Sequence, residues 1–594
     1  LTVRRGPYRA VLYVTVDGEP ANRLPRDATG RTYLPLYDRA NTLATVPLAS
    51  GLDAGAHTVE IVTERGQGQW TLVSWHVAGQ AADGGWVLQL AVLGVLALAC
   101  LGWVVWAVRR VAWDRLAESV RAWPGWAQAL LLLGVTGLLV VALVGGARQD
   151  LLSSAPREGL RDGLSAWFLA ALPLAAAFTL LATVRLDLGL ALAAAAAPFY
   201  LQPAVLYYSA LSIPELLALL CALAALLMRA ATARRAPLGG ATLDVAPLDL
   251  AVALIAASAV TASLGVSDAS AALLELRSVF LLPALCYVAV RLGGLGGGAA
   301  GLRAAWPIVA GWAAGSLAVA CIGLAMYALG RNVVLAEGGL ARLQSIYPSP
   351  NNVGLYLGRL WPVLAAIALW DTDRRRRWWA GLAALPILLA VVLSFSRGAL
   401  LLGLPAALVT MALLAGGRWR WAALALVVVG GLAVIPLMRV PRFGSALQLE
   451  EGSTFFRLEL WRSTLALIRE HPWFGVGPGG FPAAYRTRYI LPSAWAEPTL
   501  EHPHSIYLDH LARLGIPGLL AGAAAQVAFW RELRRGLRAH PEARGLLVGL
   551  AGSMAALLAH GLVDNTLFFP DMALAFFLTL ALLHLAQRGV TADG

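Results

Sequence analysis

His502 and His504, separated by one proline, close a polar stretch of about residues 438–503 that carries seven arginines: Arg439, Arg442, Arg457, Arg462, Arg469, Arg486 and Arg488. Histidine titrates near neutrality and can take a proton from a hydroxyl. Guanidinium forks match phosphate oxygens in planar, two-point contacts. Together they suit proton abstraction beside a phosphate-bearing group, with His502, His504, Arg457, Arg462, Arg486 and Arg488 as candidates. Zinc on the two histidines is the rival reading. A zinc site wants a third protein ligand, and no cysteine or acidic cluster has suitable spacing.

Within the stretch, residues 453–469 fit an amphipathic helix that Ser453 or Thr454 can cap. Arg457, Trp461 and Thr464 share one face, while Glu459, Arg462, Ser463 and Glu470 lie on more polar sides. His471-Pro472 ends the helix. Gly475, Gly477, Gly479 and Gly480 follow and permit tight turns, so Gly477 and Gly479 are candidates for a phosphate-binding nest. Arg397, in Ser394-Phe395-Ser396-Arg397-Gly398, opens an apolar span. An arginine at membrane depth is a functional candidate, unless it only snorkels to headgroups. His560 and Asp564 are one helical turn apart and could orient another group or cap their own helix.

The elements that must position these residues are membrane helices. Of 594 residues, 59% are apolar and 13% charged, about half the charged fraction usual for a soluble protein. Apolar runs near 20 residues recur, each long enough to cross a bilayer. They are expected at 86–108, 127–147, 163–184, 188–203, 211–229, 247–265, 272–291, 306–330, 352–370, 378–394, 398–416, 420–437, 505–530, 545–563 and 572–588. The fold class is thus an all-α polytopic membrane protein of about 15 transmembrane helices. Five arginine-rich loops fall on one side of such a topology, which the positive-inside rule makes cytoplasmic. The 438–503 loop, placed before the last three spans, is then extracytoplasmic and the C-terminus cytoplasmic.

Residues 1–80 differ in kind. Alternation over residues 8–16 runs into the turn pair Asp17-Gly18, and two further β-rich runs follow. They predict a small extracytoplasmic β-sandwich, of a sort that binds sugars or serves structure. The first residue is Leu1, which is read as truncation upstream. Residues 86–230 make N-terminal transmembrane helices, and 247–588 a transmembrane core.

Net charge is +12, and the 46 basic residues are all arginine. High alanine alongside points to a GC-rich genome, and nucleic acid is not an expected partner, since no basic stripe sits on a soluble module. Cys100, Cys221, Cys286 and Cys321 lie in apolar runs without metal-ligand spacing and read as small buried hydrophobes. P-loop, Rossmann and HExxH patterns are not found. The spans read as chemically plain, which argues against a transport path.

Several of these motifs resemble the O-antigen ligase family, which also holds O-antigen polymerases and bacterial protein O-oligosaccharyltransferases. The matching pieces are Ser396-Arg397-Gly398, Arg457 followed by Trp461, the 471–479 run, His502-Pro503-His504-Ser505-Ile506-Tyr507-Leu508 and Leu514-Gly515-Ile516-Pro517-Gly518. The resemblance implies a glycosyltransferase that moves a glycan from an undecaprenyl-pyrophosphate-linked donor to an acceptor hydroxyl, with no metal or cofactor. The acceptor is lipid-linked, polysaccharide or protein. His504 matches the family's catalytic histidine, and Arg397 and Arg457 its essential arginines. Ser505 stands where the family usually has asparagine. A non-catalytic glycolipid transporter or sensor is the reading from another class.

Overall fold

The computed structural model describes residues 1–77 (apart from 6–9, 28, 37–41, 54, 65–71 and 76), 118–152, 166–233 (apart from 202 and 207–208), 245–444 (apart from 267 and 296–298) and 452–587 (apart from 496 and 498–499). The expected span at 86–108 lies outside the described residues. The chain divides into two compact units. One gathers Leu1–Val95, Ser258–Glu275 and Ser445–Leu520; the other holds Leu96–Ala257, Leu276–Gly444 and Ala521–Gly594.

Helix dominates because the apolar runs are rich in alanine and leucine, the strongest helix formers. Nine helices among the described residues are long and apolar enough to cross a membrane, and five apolar helices are shorter. Fourteen of the expected spans therefore meet an apolar helix, but only nine have spanning length. The weak run at 188–203 breaks after Leu186–Ala196 into a 3-10 turn, Ala197–Phe199, where Pro198 interrupts the ladder.

In the larger unit, small residues let helices touch through their backbones. Gly311 and Gly315 of Ala299–Ala328 face the Leu186–Ala196 helix. A Cβ at either glycine would lie 2.1 Å from the Ala191 carbonyl oxygen or 2.3 Å from that of Ala195. Gly549 of Arg544–His560 likewise abuts Val363 of Pro350–Trp370, with a Cβ there 2.7 Å from Val363 Cα. Where lipid replaces water, such close van der Waals packing is a main source of helix association.

The spans are not chemically plain, and this corrects the expectation from sequence. Arg359, Asp509, Arg513 and Asp571 lie buried in spanning helices. Each carries local consequences: the Tyr347 hydroxyl donates to Asp571 at 2.9 Å, and Arg359 Nε donates to Ser553 Oγ at 3.2 Å. Cysteine also departs in part, since Cys221 and Cys286 are buried but Cys321 is exposed.

In the smaller unit, residues 1–77 form β1 (Thr2–Arg5), β2 (Val11–Val16), β3 (Glu19–Pro20), β4 (Tyr33–Pro35), β5 (Thr42–Thr45), β6 (Val59–Glu64) and β7 (Leu72–Ser74). β1 pairs with β5 and β7; β2 pairs with β3, β4 and β6, all antiparallel. Val3, Leu12, Val14, Leu34 and Val46 share one apolar core across both sheets. Asp17 and Gly18, at φ 54° and 80°, make the tight turn between β2 and β3. The buried Tyr33 hydroxyl donates to the Ile490 carbonyl at 2.8 Å, so this module is bonded to the 438–503 loop.

Candidate functional site

The Gly452–Glu470 helix forms as its residues predict, but its burial corrects one face. Glu459 and Ser463, expected on polar sides, are buried with Leu460, Thr464 and Leu467. Glu459 tolerates this because the Ser493 hydroxyl and Arg462 Nη1 both donate to it. Leu460, Leu467, Phe481, Tyr485, Tyr489, Ile490, Ala494 and Ala512 fuse into one apolar cluster under the loop. Trp461, half-buried, donates Nε1–H to the Pro503 carbonyl at 2.8 Å.

The turn after the helix is locked by backbone contact. Val476 N–H donates to the Ala512 carbonyl and Ile516 N–H to the Pro472 carbonyl. Gly475, Gly477, Gly479 and Gly515 all have positive φ. A Cβ on Gly479 would sit 2.4 Å from the Ala271 carbonyl oxygen, and one on Gly515 2.2 Å from that of Trp473. Gly479 N–H donates to the Glu275 carboxylate. That amide is committed to an anion of the protein itself, and Gly479, named with Gly477 as a candidate nest, lies in a packed turn. Gly479→Ala should therefore destabilise the protein by more than the 1–2 kcal/mol of left-handed backbone alone. Gly18→Ala, at φ 80° with open space around it, is the control that bears only the backbone cost. Thermal melts of the two variants check this, and equal shifts would refute the packing argument.

Sequence reasoning missed a buried ionic latch. Arg513 Nε donates to Asp509 Oδ1 at 2.6 Å, Nη1 pairs with Glu275, and Nη2 donates to the Glu501 carbonyl at 3.0 Å. The signal was present: Asp509 and Arg513 are oppositely charged at i, i+4 inside an apolar run. The Glu501 and Pro503 carbonyls are thus held from two directions, by Arg513 and Trp461.

His504 sits between these anchors and the start of the Ile506–Ala539 helix, with φ 50°. Side chains other than glycine seldom adopt this region, and histidine does so more readily than most. Such residues cluster at functional sites. His504 is half-buried, and its ring lies edge-on to that of His502, centroids 4.4 Å apart. Their ring nitrogens lie within 4.8 Å of each other, close enough for both to reach one metal ion. Ser505 is buried, and its carbonyl accepts the Asp509 N–H at 2.9 Å, opening the helix. His471 stands apart from the pair; burial first, then the nearby Arg488, push its imidazole below its ordinary pKa.

The loop arginines are not equivalent. Arg462 pairs with Glu459 at 2.5 Å and Arg488 with Glu470. Arg486 is half-buried in the Tyr485–Tyr489 turn, and Arg439 and Arg469 are exposed. Arg457 is half-buried and makes no hydrogen bond or ion pair among the described residues. It alone in this set combines partial burial with an uncommitted guanidinium.

In the larger unit, the 394–398 segment is fixed equally tightly. Phe395 has φ 45°, a genuine outlier for a bulky residue. Arg342 Nε donates to the Ser394 carbonyl at 2.8 Å and is itself oriented by Asn351 Oδ1 at 2.7 Å. The Ser396 side chain rests on Gly354, where a Cβ would lie 2.8 Å from Ser396 Cβ. Arg397 is buried, and its Nη1 donates to the Arg442 carbonyl at 3.3 Å. Gly398 must be glycine because the His560 ring covers it: a Cβ would come within 2.4 Å of two ring atoms. His560 therefore packs on the Arg397 segment, a role not visible in its spacing from Asp564. Asp564 is buried, with its backbone N–H on the His560 carbonyl at 3.2 Å.

Comparison with known proteins narrows the class of a membrane protein that gathers histidine and arginine in this way. Residues 382–522 match the family model described as O-antigen ligase. Over that range the chain is similar to O-antigen ligases, which together with its apolar helices supports, at a coarse level, an O-antigen ligase-like membrane glycosyltransferase. No curated protein matches the chain.

Proposed function

We propose that the protein transfers a glycan from an undecaprenyl-pyrophosphate-linked donor to an acceptor hydroxyl at the extracytoplasmic face, without a metal. His504 takes the proton of the acceptor hydroxyl. The oxygen attacks the anomeric carbon, the bond from that carbon to the pyrophosphate oxygen breaks, and the configuration inverts in one step. Arg397 and Arg457 neutralise the charge that builds on the departing pyrophosphate. What supports this most is the fixing of His504, a base candidate in a left-handed backbone between two anchored carbonyls. Positioning of that kind lowers a barrier by removing the search for geometry.

The test is transfer in vitro by the purified chain in lipid, with a defined lipid-linked oligosaccharide and lipid, polysaccharide and protein acceptors. Arg397→Ala and Arg457→Ala each lose roughly 10²–10³-fold in rate, the scale for removing one charge-stabilising donor. Arg469→Ala, at an exposed arginine of the same helix, stays close to wild type. Normal donor use by either of the first two variants would reject the pyrophosphate role. Activity persists after chelation; loss by chelator with recovery on zinc would return the two-histidine metal reading.

A further inference from the structure

Arg359 lies near the middle of the Pro350–Trp370 helix, about 14 Å along the axis from its first residue. Its side chain is 2% exposed. Nε is bonded to Ser553, but Nη1 and Nη2 are buried without a hydrogen-bond partner. No acidic side chain among the described residues counterbalances it. Beside it is a cavity lined by Gly354, Gly358, Gly403, Leu404, His560 and Thr566, in which the centre of a water-sized sphere has about 10 Å³ to move, room for a single atom somewhat larger than a water oxygen. A Cβ placed on Gly358 would meet no atom within 4 Å, although the residue is buried.

A guanidinium keeps its charge in proteins, and an uncompensated charge in an apolar interior is strongly disfavoured. The cavity wall offers backbone, aliphatic groups, an imidazole and a hydroxyl, but no carboxylate. The Thr566 hydroxyl already donates to the Leu557 carbonyl at 3.0 Å. A water would meet the two free N–H groups and leave the charge unbalanced. Phosphate, pyrophosphate and carboxylates are too large for the space. We propose that this cavity binds one small monovalent inorganic anion of the halide class on Nη1 and Nη2 of Arg359. The cavity meets the Arg397 segment through His560, but anion binding there does not depend on the transfer reading.

The full chain, purified in detergent, is melted in chloride and in gluconate at equal ionic strength, gluconate being too large to enter. As chloride replaces gluconate, the apparent midpoint rises and saturates, by about 1–2 °C at tenfold excess over the dissociation constant. Gly358→Ala, which fills the cavity and keeps the charge, abolishes the chloride response, as does Arg359→Met. Bromide gives an anomalous diffraction peak at the Arg359 guanidinium in the wild-type protein. Identical melting of the wild type in the two salts, no bromide peak there, or a full chloride response in Gly358→Ala would each overturn the proposal.

Discussion

His504→Ala lowers glycan transfer by roughly 10²–10⁴-fold, the range contributed by a positioned general base. The side chain is half-buried and lies outside the apolar cluster beneath the loop, so the protein stays folded. Alanine leaves one ambiguity, because the backbone at φ 50° could relax once the ring is gone. His504→Asn removes it. Asparagine tolerates the left-handed region and still forms hydrogen bonds, but it cannot carry a proton away. Both variants should bind the donor and fail in transfer to a similar degree. Retention of more than about a tenth of the wild-type rate by the asparagine variant would exclude His504 as the base, since a base contributes at least ~10²-fold.

Arg513→Met has the largest expected effect on the fold. It strips the counter-charge from Asp509, which is fully buried, and from Glu275, whose side chain is 14% exposed. Breaking a buried pair from one side typically costs about 3–5 kcal/mol. It also releases the Glu501 carbonyl, and so loosens the segment that carries His504. The expectation is a clear fall in apparent melting midpoint together with a lower maximal transfer rate. Adding Glu275→Gln and Asp509→Asn to Arg513→Met neutralises the stranded acids and recovers part of the stability, but not the rate. A midpoint within about 1 °C of wild type for Arg513→Met alone would show that the latch contributes little.

These two residues mark the border between what a sequence displays and what folding adds. His504 stood out because two histidines fall within three residues after an arginine-rich loop, in a motif that resembles the O-antigen ligase family. Arg513 was readable only as a charge in an apolar run, and it passed as part of a plain helix. Its partners Glu275 and Glu501 lie 238 and 12 residues away, and no local pattern joins them. The same holds for Arg342, which sits in a short hairpin yet fixes the Ser394 carbonyl 52 residues on.

By itself the sequence determined the class of protein, most helices, the turn at Asp17-Gly18 and the short list of residues able to do chemistry. Those properties follow from composition and from periodicities of two to four residues, which a chain carries locally. Only the tertiary structure decided which arginines are committed to carboxylates, which glycines are required by an abutting backbone, and that His560 covers Gly398. Burial and pairing arise from residues brought together across hundreds of positions. In a low-dielectric interior, those distant partners determine whether a charge is held in place or available to a substrate.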